Sequence, residues 1–473
     1  SVPDITNTQV QINTVAPALS PAQIEQQITY PVETGLAGIE GLEMTRSISR
    51  NGFSQVTAIF EDGTDIYFAR SQVNERLTPI SSSLPDGAQP EMGPISTGLG
   101  EVLMYRIGFA DTDRSPELSS ATGWQPDGAF VTEDGERLSN EVSQAAYLRS
   151  LQDWVIAPLM KSSPGVAGVD SIGGYEKQFL VQPDIARMNG YDIGFNELTN
   201  AIEKASLAVG ANFFNRDGEA LLVKVDARLG SIEGISEAIV ANRNNIPVKV
   251  SDVADVRLGG DLRTGAATLN GEEAVIGTVL MRSGENSRTV AAQAAERFES
   301  VKSVLPPGVV GEIIYNRSNL VDATIATVEK NLVEGALLVI VILFLLLGNI
   351  RAALIAALVI PLSMLMAAIG MNRLGVSGNL MSLGALDFGL IVDGAVIIVE
   401  NSVARLAAKQ HAAGRLLTLK ERLAETRIAA QEMIKPTVYG QAIILLVYAP
   451  LLAFAGVEGK TFSPMAITVM LAL

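Results

Sequence analysis

Apolar positions along residues 8 to 95 switch repeatedly between a two-residue and a helical period. TQVQINTVA alternates like a strand, and Pro21 to Leu36 carries helical spacing behind the Ser20-Pro21 start signal. MTRSISR and FSQVTAIFE alternate again on either side of Asn51-Gly52, and Asp65 to Leu84 returns to the helical period. Asn-Gly between two alternating runs is a strong hairpin signal, because the tight turn needs positive φ that these two residues tolerate. Strand, helix, strand, strand, helix is most of a split βαβ, ferredoxin-like unit. A second unit follows with a long interruption. EVLMYRIGFA, a helix from about Glu141 to Lys161 and VAGVDSIGG form its first half; EEAVIGTVLMRS, a helix from Ser287 to Val304 and VVGEIIY form its second. Between the halves, mixed strand and helix from about Tyr175 to Asn270 predicts an inserted subdomain. Residues 111 to 140, with Trp124, Pro116, Pro126 and two acidic-Gly turns, read as a surface loop insertion.

After residue 330 the period disappears into long apolar runs. Leu332 to Gly348 is interrupted only by Glu334, and Ala352 to Met371 is broken by Pro361. Asn379 to Glu400, Thr437 to Phe454 and a segment from Pro464 follow. A hydrocarbon core of about 30 Å needs about 20 apolar residues as helix, so these predict membrane spans near 332–349, 352–371, 380–400, 437–454 and 464–473. The segment 401 to 436 holds seven Lys and Arg, among them Arg405, Lys409 and Arg427, against Glu421, Glu425 and Glu432. The positive-inside rule puts that side in the cytoplasm and residues 1 to 330 on the other, which calls for a helix before Ser1. The last span stops partway, so the chain reads as a fragment of a longer protein. His411 in this segment reads as a surface residue.

The run NLMSLGALDFGLIVDGAVIIVE carries the candidate chemistry. It reads as a spanning helix, yet Asp387 and Asp393 lie inside it and Glu400 at its end. An acid at the bilayer centre costs roughly 2.5 to 3.5 kcal/mol even on lenient scales, so it faces a polar path or another helix. Seven positions separate Asp393 from Glu400, which gives one face and about 10 Å along the axis; Asp387 is about 9 Å further back and off that face. The three therefore form separate proton stations rather than one chelating site, and burial should raise both aspartates toward neutral pH. Gly384, Gly389 and Gly394 are small enough for neighbouring helices to approach.

Charge divides the chain as hydropathy does. Residues 1–330 hold 43 acidic and 25 basic side chains, and residues 331–473 hold 8 and 10. The acidic part disfavours nucleic acid and tolerates cationic cargo. There is no cysteine and only one histidine, which excludes disulfides, thiolate metal sites and a multi-histidine cluster within this chain. No nucleotide-binding P-loop or nucleophile-base arrangement argues for an enzyme, and SIGGY is better read as a turn.

The stretches VPDITNTQVQINTVAP, NGFSQVTAIFEDGTDIYFAR, LRSLQDWVIAPLMKSSPGVAGVDSIGGYEKQF, LRTGAAT, GENSRTV, FLLLGNIRAALIAALVIPLSM and, most specifically, NLMSLGALDFGLIVDGAVIIVEN resemble the heavy-metal efflux branch of the resistance-nodulation-division (RND) transporters. The resemblance covers nearly the whole chain, apart from the 111–140 loop, which is longer than the family pattern. It implies an α+β membrane protein: ferredoxin-like periplasmic porter subdomains at 1–95, 96–174 and 271–330, an inserted docking subdomain at 175–270, and a transmembrane bundle at 331–473. It also implies a multi-pass inner-membrane proton antiporter, energised by the proton-motive force without a resident cofactor. That antiporter is a homotrimer working with a periplasmic adaptor protein and an outer-membrane channel. The family's conducting acids fall on Asp387, Asp393 and Glu400. The DFG-x3-DGA-x4-EN form resembles the cobalt-zinc-cadmium type of exporter, hence cargo of Zn, Co, Cd or Ni; such ions accept carboxylates, whereas Cu(I) prefers sulfur.

First-shell metal ligands are not legible. Asp170 and Glu176 flank the Gly173-Gly174 turn at a candidate cleft, and Glu133, Asp134 and Glu136 read as a solvated acidic loop. Met44, Met92, Met104, Met160, Met188 and Met281 form no periodic cluster and read as core packing rather than a sulfur relay. The alternatives are efflux of organic compounds by the same machine, copper or silver export, and a non-transporting membrane-tethered periplasmic module.

Overall fold

A computed structural model describes residues 4–110, 122–205, 208–216, 219–226, 231–243, 246–260, 263, 265–376, 378, 382, 384 and 388–473. Its first sheet holds four strands: β1 (Gln9–Val15), β2 (Leu42–Arg50), β3 (Phe53–Phe60) and β4 (Gln89–Met92), in the order β2-β3-β1-β4. Every pairing is antiparallel: β1 meets β3 from Gln9 opposite Ile59 to Val15 opposite Phe53, and its other edge takes β4. Gly52, at φ +70°, makes the predicted β2–β3 turn, and a Cβ there would stand 2.9 Å from the Pro17 backbone. Val10 and Ile12 point inward on alternate positions of β1 and pack under two helical segments. One runs from Pro21 to Leu36 through a π turn at Glu25–Thr29; the other is Ile66–Ser81, capped by Asp65, which accepts from the Phe68 N–H at 2.8 Å. Ile24, Ile28, Val32, Val73 and Phe60 are fully buried between these layers. Each such aliphatic side chain contributes roughly 1.5 to 3 kcal/mol. The short edge strand β4, which contains Pro90, has no periodicity long enough to show in the sequence.

A second sheet repeats this order with an insertion. Val309–Asn316, β5 (Glu101–Phe109), Val275–Met281 and Val166–Ile172 lie side by side, so again the last strand neighbours the first and the third separates the first from the second. Tyr105 fills its core. The ring lies 4.4 Å from that of Phe298, its hydroxyl accepts from Gln152 Nε2 at 3.1 Å, and burial pushes its ionisation well above the usual phenol range. Gly277 makes room for that ring, since a Cβ would stand 2.3 Å from it. Gly173 and Gly174, at φ +85° and +68°, form the turn that SIGGY predicts; Cβ atoms there would meet the carbonyls of Ala274 and Ala145 at 2.1 and 2.8 Å. Arg149 holds the turn by donating to the Gly173 carbonyl at 3.0 Å.

The inserted segment pairs Lys177–Pro183 with Ala254–Gly260 and has its own small core of Met188, Ile193, Leu198, Val248, Val250 and Val253. A hairpin joins Ala208–Arg216 to Glu219–Asp226. Residues 122 to 140 correct the loop expectation. Gly123–Trp124, Phe130–Val131 and Arg137–Leu138 form a three-stranded sheet. Its aromatic residues supply the reason: Phe130 is 1% exposed and packs tilted against Phe109 with ring centroids 4.3 Å apart, while Trp124 donates to the Ala110 carbonyl at 3.0 Å. Residues 111–121 lie outside the described residues.

Beyond residue 316 the described chain is helical. Arg317–Leu347 is followed, after the left-handed Gly348 and the Asn349 cap, by Ile350–Ala357 and Val359–Leu374. The break falls where Pro361 cannot donate to the Ala357 carbonyl. Phe388–Ala413 comes next, then Leu419–Tyr448 with a 3₁₀ turn Ala449–Ala453, and Gly456–Ala472. Four boundaries differ from expectation. The first helix starts fifteen positions before residue 332, and the acid-bearing helix continues to Ala413 instead of ending at 400. The span expected from Thr437 belongs to a helix that begins at Leu419 and contains Pro436, and Pro464, read as a helix start, lies inside a helix that begins at Gly456. The capping box of Thr418 and Glu421 and the run of good helix formers behind it outweigh one proline. Among the described residues, two helices are long and apolar enough to cross a membrane, Ile350–Leu374 and Leu419–Ala453.

Candidate functional site: the carboxylate helix

Helix Phe388–Ala413 has two different sides. Ile391 and Val392 are buried against Ile360, Ala367 and Ala472, while Val396 and Val399 pack toward Leu343, Ala353 and Ala356. Asp393 and Glu400 are exposed. Seven residues apart, they share the face that the sequence predicted, about 10 Å from each other along the axis. Asp387 lies outside the described residues. Glycine behaves less uniformly than its spacing suggests. A Cβ on Gly394 would stand 2.9 Å from Thr437 Cγ2 and 3.6 Å from Gln441 Nε2, so this glycine does bring two helices together. Gly389 is exposed in the first turn, and no described atom lies within 4 Å of where a Cβ on Gly384 would go.

From Gly394 onward, helices Phe388–Ala413 and Leu419–Tyr448 meet along a polar seam. Asn401 Nδ2 donates to the Ala429 carbonyl at 3.1 Å. Arg405 donates to Glu425 at 2.9 and 3.1 Å and also pairs with Glu432, and Lys409 pairs with Glu425 as well. Glu425 is only 5% exposed, so these two cations offset the cost of removing its charge from water. Further along, the Thr437 hydroxyl and the Gln441 carbonyl oxygen are buried without a hydrogen-bond partner, among the described residues. Sequence reading took 401–436 as a loop and used its charges only to orient the chain. The missed signal was their helical spacing: Arg405 and Lys409 lie four apart, as do Glu421 and Glu425, with Glu432 seven further on. His411 is exposed in the last turn, as expected.

The acids of the water-soluble part do not converge. Among the described residues, no group of three or more Asp, Glu, His or Cys side chains is placed to hold a metal. Glu176 lies 3.9 Å from Arg149, Glu136 pairs with Lys177 at 2.8 Å, and Glu133 and Asp134 are exposed. Asp170 is exposed overall, yet the sheet surface around its carboxyl desolvates it and raises its pKa, with Lys161 opposing. Of the methionines, Met160, Met188 and Met281 are buried as expected; Met44 is not, at 43% exposed on strand β2.

Residues 1–473 match the AcrB/AcrD/AcrF family over the whole chain. The chain belongs to that family. Its relatives lie on the heavy-metal branch of the RND transporters that the DFG-x3-DGA-x4-EN pattern resembles. It is 59% identical to the nickel-cobalt-cadmium resistance protein NccA of Alcaligenes xylosoxydans xylosoxydans, over 100% of this chain and 44% of that protein. With the nickel and cobalt resistance protein CnrA of Cupriavidus metallidurans it shares 57%, over 100% and 44% of the two chains. With the cobalt-zinc-cadmium resistance protein CzcA of the same species it shares 49%, over 100% and 42%. A crystal structure of a heavy metal efflux pump superimposes with a TM-score of 0.81 at 32% identity, covering 99% of this chain and 43% of that one. The chain thus spans less than half the length of these relatives, and its fold is that of an RND transporter over the span they share. In this AcrB/AcrD/AcrF chain the acid-bearing helix is held by apolar contacts and by the polar seam, and Asp393 and Glu400 are exposed beside them.

Proposed function

We propose that this chain is part of a proton-driven antiporter that exports divalent heavy-metal cations across the cell envelope, with nickel and cobalt as the first candidates. The carrying observation is the exposed pair Asp393 and Glu400 on a helix whose opposite side is packed by Ile391 and whose flank is packed by Val392. An acid in apolar surroundings is stable there when protonated and needs a polar partner when ionised, so each can take a proton on one side and release it on the other. Asp387 completes this set of stations. The names of the two relatives above 55% identity favour nickel and cobalt; zinc and cadmium come next, as in the names of those at 49 and 59%.

The helices from Arg317 to Ala472 form a multi-pass bundle in the inner membrane, with spans beyond the two most apolar ones. Leu345, Leu346 and Leu446, each at least 70% exposed, supply its lipid-facing or helix-facing surface. The two sheets with one strand order are ferredoxin-like porter subdomains at 1–95, 96–174 and 271–330, and the segment 175–270 between them is the docking insertion. A homotrimer with a periplasmic adaptor and an outer-membrane channel is the assembly this family reading implies. The test is metal-driven proton flux in proteoliposomes holding the intact protein, with Ni²⁺, Co²⁺, Zn²⁺, Cd²⁺ and Cu⁺ compared. Flux with a divalent ion that falls on the order of 100-fold in Asp393→Asn supports the reading. Flux driven by an organic compound and by no metal refutes the cargo; undiminished flux in Asp393→Asn refutes the relay.

A further inference from the structure

Helix Gly456–Ala472 touches two places of different character. Near its C-terminal end, Ala472 and Leu471 pack in the same apolar cluster as Ile391 and Val392, the residues immediately before Asp393. The contact is close: a Cβ on Gly370 would stand 2.8 Å from Leu471, and the Thr468 hydroxyl lies 3.4 Å from Met371 Sδ. Twelve positions earlier, about 18 Å along the axis, Lys460 leaves the bundle. Its ammonium donates to Asp62 Oδ1 at 2.6 Å, to the Thr6 carbonyl at 3.0 Å and to Asn7 Oδ1 at 3.3 Å. Three acceptors satisfy its three donors. They come from the segment leading into β1 and from the turn after β3, both flanking the first sheet.

Between the two contacts stands Pro464, which cannot donate to the Lys460 carbonyl and so marks the turn where this helix bends most easily. A cation fixed at three points just before that turn decides whether motion at the far end is absorbed in the helix or passed on to the sheet.

We propose that Lys460 is a positioning residue that transmits the state of the carboxylate helix to the first sheet, with Gly456–Ala472 as the strut. The proposal rests on Asp393 being a proton station, and it assigns a mechanical partner to that station. Removing the Asp393 charge then alters the packing around Ile391, Val392 and Ala472, and the strut carries the shift to residues 4–10 and 60–65.

The test is hydrogen exchange on the intact membrane protein, with Asp393→Asn as a permanently neutral carboxyl. Exchange of the amides in 4–10 and 60–65 should change about fivefold or more on Asp393→Asn. The response should vanish in the Lys460→Met background, persist in Lys460→Arg, and return in the charge-swapped pair Lys460→Asp with Asp62→Lys. A residue that merely stabilises the fold would shift baseline exchange without removing the response. The proposal is overturned if Asp393→Asn leaves these amides unchanged with Lys460 in place, or if Lys460→Met leaves the response intact. The flux assay fails independently: it can refute proton transport while the exchange comparison still decides whether the strut transmits.

Discussion

The first sheet and the helices after residue 316 solve the same burial problem to different degrees. Around β1 to β4, Val10, Ile24, Ile28 and Val32 have no exposed surface at all. Along the helices, Leu345, Leu346 and Leu446 are 73, 77 and 70% exposed. In the first region the core side chains have found their partners within about 95 residues of chain. In the second, the described residues close smaller cores around Ile360, Ala367, Ile391 and Ala472 and around Leu343, Ala353 and Ala356, and the remaining surface suits lipid or further helices. Stability in the sheet is therefore intrinsic, whereas much of the bundle's stability depends on what surrounds it.

That contrast can be broken at single residues. Ile28→Ala should destabilise the first sheet by about 2 to 5 kcal/mol, while Leu345→Ala in detergent should change stability by less than about 1 kcal/mol. Thermal unfolding followed with region-specific exchange separates the two, and equal losses would refute the comparison. Where the bundle is closed, it should behave like the sheet. Gly394→Leu forces helices Phe388–Ala413 and Leu419–Tyr448 apart at Thr437 and should cost about 1 to 3 kcal/mol.

The polar seam gives a smaller effect. Glu425→Gln leaves Arg405 with Glu432 and frees Lys409; because Lys409 is half exposed and Arg405 a third exposed, the expected loss is about 1 to 2 kcal/mol, read from denaturant midpoints. The smallest lies in the inserted segment, where Asp184 caps helix Ile185–Gly190. The Arg187 backbone N–H, then its guanidinium, hold this carboxyl below the usual carboxylate range, with the Ala186 N–H adding to them. A depressed acid contributes stability that is present above its unfolded pKa of about 3.9 and is lost as pH falls through its folded value. Asp184→Asn should lower stability slightly above about pH 5 and converge with the parent protein at low pH, which flattens the acid-side loss. A protein equally acid-sensitive with and without Asp184 would contradict this.

Local elements were legible wherever one period ran long enough. β1, β2, β3 and β5, with the helices at Pro21, Ile66 and Glu141, stand within a few residues of their expected places. Illegible parts share a cause, which is that contacts distant in sequence decide them. β4 exists because β1 offers it an edge, and the 122–138 sheet because Phe109 gives Phe130 and Trp124 something to cover. Pro464 misled because a proline's cost in a helix is local, while the packing that offsets it extends along the whole helix.

By itself, the sequence determined the division into an acidic α/β part and an apolar helical part, the placement of Asp393 and Glu400 on one helical face, and the family. Periodicity, charge and motif spacing carry those facts because each depends on residues a few positions apart. Only the tertiary structure decided that Gly394 lies against Thr437 of the next helix, that Arg405 and Lys409 converge on the buried Glu425, and that Lys460 reaches Asp62. Those depend on which surfaces meet across tens to hundreds of residues, and no local pattern encodes such a meeting.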